Sequence, residues 1–268
     1  MKIVSWNINR QTQAWRVLRD SEYDIALVQE AGPPPAGLLD DSDISPGEWS
    51  TAGAIRRPWR TAIVRLSKEV DVEWVQCRPL ELANSDDFPV SRRGTIAAAR
   101  VSKPGLDPIL LCSCYSVWER MQGTSEIFSD GSAHRLLSDL SWATWSEKRV
   151  IVAGDFNILN RYGENRSQYW GRRYTSVFDR AKTIGLEFAG PQYPQGRQAS
   201  PWPDELPEGS KDVPTYYPRQ RDLGGATRQI DFVFCSPSLK SKLSTEAKNQ
   251  IDDWGPSDHC RIEIKVND

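Results

Sequence analysis

The stretch Arg149-Val150-Ile151-Val152-Ala153-Gly154-Asp155-Phe156-Asn157 sets an uncharged apolar run against an abrupt polar end. A run of β-branched and small residues with no charge reads as a strand buried on both faces. An Asp and an Asn directly behind it stand where a rigid element presents side chains to a cleft. Taken alone, Asp155-Phe156-Asn157 is also an ordinary turn, since both polar residues favour turns. The rest of the chain decides between these readings.

Working outward, the same arrangement recurs. Lys2-Ile3-Val4-Ser5-Trp6-Asn7 alternates and ends on Asn7, and Asp24-Ile25-Ala26-Leu27-Val28-Gln29-Glu30 is a buried run ending on Glu30. Ile109 to Tyr115 ends on Tyr115, Gln229 to Cys235 carries Asp231, and Asp258-His259 immediately precedes the run Cys260 to Val266. A helical pattern over Ala14 to Leu18 between the first two strands predicts a parallel crossover unit. Strand runs at 61–66, 70–75 and 95–101 come with turn-forming segments such as Lys103-Pro104-Gly105, as in hairpins. Helical spacing predicts helices over Ala133 to Trp145 and Tyr174 to Ile184, the second ended by Gly185. Gly190 to Gly225, rich in Pro, Gly, Gln and charge, reads as a long surface loop. No repeat and no Gly/Ser linker divides the chain, so one α/β domain over residues 1–268 is expected.

Composition removes several classes of function. With 268 residues, a formal net charge of −2 and a pI near 5.9, the chain does not grip polyanions by bulk charge, so any such contact has to be local. No run approaches the roughly 20 apolar residues that cross a bilayer, and no membrane segment is expected. The opening residues turn polar at once rather than entering a signal-peptide apolar region, which predicts a cytoplasmic protein. Five cysteines without ligand spacing and only two histidines, His134 and His259, argue against a zinc cluster or a disulfide framework. Cys112 and Cys114 alternate and should share one buried strand face.

The polar groups gathered at strand ends are poor in nucleophiles and rich in hard oxygen donors. Such a set favours Mg²⁺, with Mn²⁺ as substitute, over zinc. A hard cation with an acidic residue and a single histidine is equipment for attacking a phosphate ester with water.

In these residues the chain resembles the endonuclease/exonuclease/phosphatase superfamily, and its motifs are nearest to those of exonuclease III type nucleases. The resemblance rests on Ser5-Trp6-Asn7-Ile8-Asn9, Leu27-Val28-Gln29-Glu30, Tyr115, Gly154-Asp155-Phe156-Asn157, Gln229-Ile230-Asp231 and Ser257-Asp258-His259, in that order. It implies a four-layered sandwich of two packed mixed β-sheets flanked by helices. It also implies that Glu30, with Asn7 and Asp258, holds Mg²⁺, and that Asp155 activates the attacking water with Asn157 positioning it. His259 then contacts the scissile phosphate while Asp231 holds its other ring nitrogen, and Tyr115 lies near the leaving group. Here Tyr115 is followed by Ser116-Val117-Trp118 rather than the family's usual Pro-Asn or Pro-His, and Gly224 to Arg228 lacks the aromatic that repair enzymes carry before the position of Asp231.

For the substrate, Arg161, Arg166, Arg172 and Arg173 follow Asn157 and are interleaved with Tyr162, Tyr169, Trp170 and Tyr174. Guanidinium forks beside aromatic platforms suit a nucleic-acid groove, and DNA is the expected partner. The second reading is a phosphatase or phosphodiesterase of a small phosphate ester or lipid head group. The third, from another class, is a binding module that keeps the fold without activity.

Overall fold

The computed structural model describes residues 1–52, 57–120, 122–124, 127–218 and 223–267. Two large sheets carry the fold. The first has five strands, in chain order β1 (Lys2–Asn7), β2 (Ile25–Ala31), β3 (Arg60–Arg65), β12 (Leu243–Lys248) and β13 (Arg261–Val266), arranged β12-β13-β1-β2-β3. The second has six: β4 (Asp71–Val75), β7 (Ile96–Lys103), β8 (Leu106–Tyr115), β9 (Val150–Asp155), β10 (Glu187–Gly190) and β11 (Asp231–Cys235), arranged β10-β11-β9-β8-β7-β4. A small parallel pair, β5 (Cys77–Pro79) and β6 (Phe88–Val90), stands apart. Both large sheets are mixed, because β1 and β2 run parallel, as do β8 and β9, while the other pairings are antiparallel.

Period-two alternation explains the layering. In β1 and β2, Ile3, Ile25 and Leu27 face the second sheet and meet Leu111, Ile151, Ala153 and Val233 in one core. Val4, Trp6, Ala26 and Val28 face the other way and cover α1 (Thr12–Arg19) through Ala14, Trp15 and Leu18. The outer face of the second sheet, with Cys112, Cys114, Val152, Phe232 and Phe234, packs on α2 (Ser129–Ser146) and α3 (Gln168–Thr183). The result is the expected four-layered α/β/β/α sandwich, and Cys112 and Cys114 share one face.

The inter-sheet face changes character along its length. Following alternate residues, Ile3 gives way to Ser5 and Asn7, Leu27 to Gln29, Leu111 to Ser113 and Tyr115, and Ala153 to Asp155. On the antiparallel β11 the order is reversed, with Asp231 leading into Val233 and Cys235. Gln29 fills the boundary, donating to Ser113 Oγ at 3.0 Å, while Ser113 donates to the Val28 carbonyl at 3.0 Å. One end of the sandwich is thus apolar inside and the other polar.

Two expectations are corrected. The second predicted helix begins earlier, at Gln168, because Ser167 caps it by accepting the Trp170 backbone N–H. The segment 190–225 is not simply a surface loop. Its described part buries Val213 and Thr215 fully and Asp212 nearly so, and Gln229 Oε1 accepts the Val213 N–H at 3.0 Å.

Asp212 makes this buried part sensitive to pH. Burial pushes its carboxyl up to about 6, against the hydrogen bonds from Asn160 and Ser210 that lower it. The folded form therefore holds a proton that the unfolded chain releases near pH ~3.9, so stability falls as pH rises through this window. Asp212→Asn keeps an acceptor for Asn160 Nδ2, 2.7 Å away, and removes the buried charge. The gain expected at pH 8 is at most about 2–3 kcal/mol, or several degrees in melting temperature, and it shrinks toward pH 4.5. Equal shifts at both pH values in a thermal melt would contradict this assignment.

Candidate active site

The polar end of the sandwich brings together residues from both sheets. Asp155 and Asp231 are direct cross-strand partners on the antiparallel pair β9 and β11, and Tyr115 is the register partner of Asp155 on β8. Gly154 allows this approach. A Cβ there would lie 1.9 Å from the Cys114 carbonyl oxygen, so only glycine fits between the strands. Like-charged carboxylates facing each other need a cation or proton between them.

His259 supplies one. It comes from the turn before β13, whose backbone is tied to β1: Ser257 Oγ donates to the Asn7 carbonyl at 2.6 Å and Trp6 Nε1 to the His259 carbonyl at 2.8 Å. Its Nδ1 lies 2.9 Å from Asp231 Oδ2, and its Nε2 lies 3.9 Å from Asp155 Oδ2, too far for a hydrogen bond. Burial alone would lower the imidazole pKa, but the neighbouring Asp231, then Asp155 and Asp258, outweigh it and raise it to about 10. The ring is therefore a cation at neutral pH, its Nδ1–H given to Asp231.

Asp155 is buried, with Oδ2 accepting from Asn7 Nδ2 and Oδ1 from the Asn157 backbone N–H, each at 2.9 Å. Burial and then the charge of Asp231 raise its pKa well above the ordinary carboxylate range, while His259 opposes the shift. The Asn7 amide has a defined orientation, because its Oδ1 accepts the Asn9 N–H at 3.0 Å and its nitrogen thus faces Asp155. Glu30 and Asn157 both have left-handed backbones, with φ of 45° and 52°. Such conformations concentrate where side chains are held for a purpose.

Glu30 accepts the Tyr115 hydroxyl, whose pKa is raised first by burial and then by the charges of Glu30 and Asp155. The Tyr115 ring packs edge-on against Trp59 at 5.0 Å. Both carboxylate oxygens of Asp258 accept from Asn9 Nδ2 at 2.8 Å, so Asn9 orients Asp258. Asn157 donates to the Ser116 carbonyl at 2.8 Å and accepts from Trp118 Nε1 at 2.5 Å. All eight predicted catalytic and metal residues stand at this one end of the sandwich.

Trp170 joins Asn157 in lining a cavity of about 520 Å³, and Arg161, Arg166 and Arg172 line an adjoining hollow of about 430 Å³ that shares Ser167 with it. Arg161 pairs with Asp179 at 3.5 Å, and Arg166 Nε donates to the Asp204 carbonyl at 2.5 Å. Arg173 departs from the expected phosphate contact. It is bound to the buried Asp130 at 2.7 Å and lies over the Trp170 ring at 5.2 Å, which commits it to the packing of α2 and α3.

Sequence reasoning missed Tyr216, whose ring lies 5.0 Å from that of His259, and Thr215, whose Oγ1 accepts the Asp231 N–H at 3.1 Å. The β-forming run Thr215-Tyr216-Tyr217 inside the polar segment was the signal available.

Two mixed sheets back to back, with helices outside and an acidic cluster around one histidine at their polar end, define the class of DNase I-like α/β proteins. Solved structures share this architecture. The catalytic domain of Xenopus laevis APE2 aligns with a TM-score of 0.64 at 13% identity, covering 100% of this chain and 92% of that one. A 3′-5′ exonuclease from Neisseria meningitidis, NExo, aligns at 0.61 and 18%, covering 100% of both chains, and an AP endonuclease from Archaeoglobus fulgidus at 0.60 and 14%, again covering 100% of both. At these identities the likeness is one of fold. No curated protein sequence matches the chain. The profile of the Endonuclease/Exonuclease/phosphatase family spans residues 4–259, and the chain belongs to that family. It is accordingly a phosphoesterase.

Proposed function

We propose that the protein is a divalent-metal-dependent nuclease that hydrolyses phosphodiester bonds of DNA. The observation that carries this reading is the buried His259–Asp231 pair at 2.9 Å, with His259 Nε2 turned toward Asp155 Oδ2 at 3.9 Å. The structural relative NExo, a 3′ phosphatase seen bound to a product DNA hairpin, supports the choice of substrate class.

The donor set fits a hard cation. Glu30, Asn7 and Asp258, at this end of the sandwich, offer oxygen alone, the donor type a hard cation prefers. Glu30, with Asn7 and Asp258, would hold Mg²⁺ or Mn²⁺, which supplies positive charge to phosphate oxygens when bound. Asp155, made more basic by burial, takes the proton of the attacking water. Asn157 holds Asp155 Oδ1 through its backbone N–H at 2.9 Å, while its amide is engaged by Ser116 and Trp118. His259 donates from Nε2 to the phosphoryl oxygen on which charge develops, and Asp231 keeps the ring charged and oriented. Tyr115 stands beside Glu30, close to where the departing oxygen would lie.

The test is an assay of the purified protein on double-stranded, single-stranded and abasic DNA, 3′-phosphorylated DNA, RNA, inositol phosphates and sphingomyelin. Cleavage of DNA with Mg²⁺ or Mn²⁺, abolished by EDTA and restored by the metal, is expected. Activity confined to the small esters or the lipid, or activity that survives EDTA, would overturn it.

A further inference from the structure

We propose that the groove between α2 and the β5/β6 pair, on the outer side of the second sheet, docks a partner protein through an arginine flanked by apolar residues. Trp142 and Trp145 line it one helical turn apart on α2. Leu80, which follows β5, and Pro89 of β6 line it from the other side, and Asp139 of α2 completes it with a carboxylate. The groove encloses about 320 Å³ and contains none of the residues gathered at the polar end of the sandwich. The proposal therefore stands apart from the nuclease reading.

The groove and its rim leave large apolar side chains in water. Trp145 is 85% exposed, and Leu80 and Leu82, two residues apart, are 58% and 67% exposed. Such a cluster on one face marks a surface that another molecule covers. Trp142 is held as a fixed wall, because its ring stacks on Phe88 at 4.8 Å with an angle of 30°.

Charge selects the occupant. Asp139 lines the groove although it is buried, and its Oδ2 accepts the Ser91 backbone N–H at 3.0 Å and the Ser91 hydroxyl at 2.9 Å. Its Oδ1 has no hydrogen-bond partner among the described residues. Burial raises the Asp139 pKa above the ordinary carboxylate range, and a cation arriving at Oδ1 would favour the charged form. The one arginine of α2, Arg135, is turned to Glu119 at 3.3 Å. Beside the groove Asp87 is matched by Arg78 at 3.2 Å, but the exposed Glu81 and Asp86 are in no ion pair among the described residues. The lining itself contains no cation. A guanidinium answers both features, since its flat face stacks on an indole while its fork donates to a carboxylate. Lysine suits the groove less, because a compact ammonium is more strongly hydrated and does not match flat rings. Apolar neighbours of the arginine would cover Leu80 and Leu82.

The experiment probes the full chain with an array of peptides of about twelve residues, each with a central Arg among Pro, Leu and Ala in varied order, and with the same array carrying Lys, Gln or Glu at the centre. Affinities of labelled peptides are then measured by anisotropy. Arg-centred peptides should bind, and Gln or Glu at the centre should weaken them about tenfold or more. Trp145→Ala and Asp139→Asn should each weaken the Arg-centred peptides about tenfold, without changing hydrolysis of whichever phosphate ester the protein cleaves. Because Trp145 is so exposed, its replacement does not threaten the fold even if that of Asp139 does. Equal binding of the Arg and Gln peptides, binding untouched by Trp145→Ala, or no binding at millimolar peptide overturns the proposal. Sedimentation of the free protein tests the other occupant: a dimer that Trp145→Ala dissociates would mean that a second copy covers this face, and would overturn it as well.

Discussion

Asp155→Asn is expected to lower turnover of a DNA phosphodiester by about 10²-fold or more, the usual worth of a positioned proton acceptor. Asparagine keeps the shape of the side chain and can still accept one of the two hydrogen bonds, from Asn7 or Asn157, but it cannot take a proton from water. Stability should move the other way. The carboxylate is buried opposite Asp231, and relieving that repulsion should leave the melting temperature unchanged or higher. Lost activity with retained stability marks a group placed for chemistry at the expense of the fold. Turnover equal to that of the parent would end the assignment.

His259→Ala should be comparably severe, about 10²-fold or more in turnover, because it removes the donor proposed to face the developing charge. The melting temperature should fall as well, since Asp231 loses its partner at 2.9 Å and is left as a buried carboxylate. Asp231→Asn separates orientation from donation. Alone it should slow the reaction and lower the imidazole pKa, which is readable by NMR titration. Added to His259→Ala it should cost little more, because the two residues act as a unit. Full additivity of the two losses would show that Asp231 does not work through His259.

Much of this arrangement was legible in the chain. Alternation in the first strand and buried apolar runs in the others put Asn7, Glu30, Tyr115 and Asp155 at strand ends, and parallel or antiparallel pairing then placed those ends together. The donor to Asp231 was legible only through family resemblance, because 28 positions separate it from His259 and no local pattern links them. Arg173 shows the limit of reading charge. Its neighbours Tyr169 and Trp170 suggested a nucleic-acid surface, but its partner Asp130 lies 43 positions away on another helix. Tyr216 was hidden because its β-forming run, Thr215-Tyr216-Tyr217, is short and lies inside a polar segment without regular period.

The change from apolar to polar along the inter-sheet face means that no contiguous piece of chain contains the chemistry. Asn7, Glu30, Tyr115, Asp155 and Asp231 belong to five different strands, and His259 to the turn before a sixth. Sliding any of these strands by one residue would swing its functional side chain to the opposite face. Catalysis by the proposed site is therefore a readout of sheet register. During gradual denaturation it should vanish as soon as any one strand slips, while the circular dichroism of the remaining sheet is still present, and no proteolytic fragment lacking one strand should retain it.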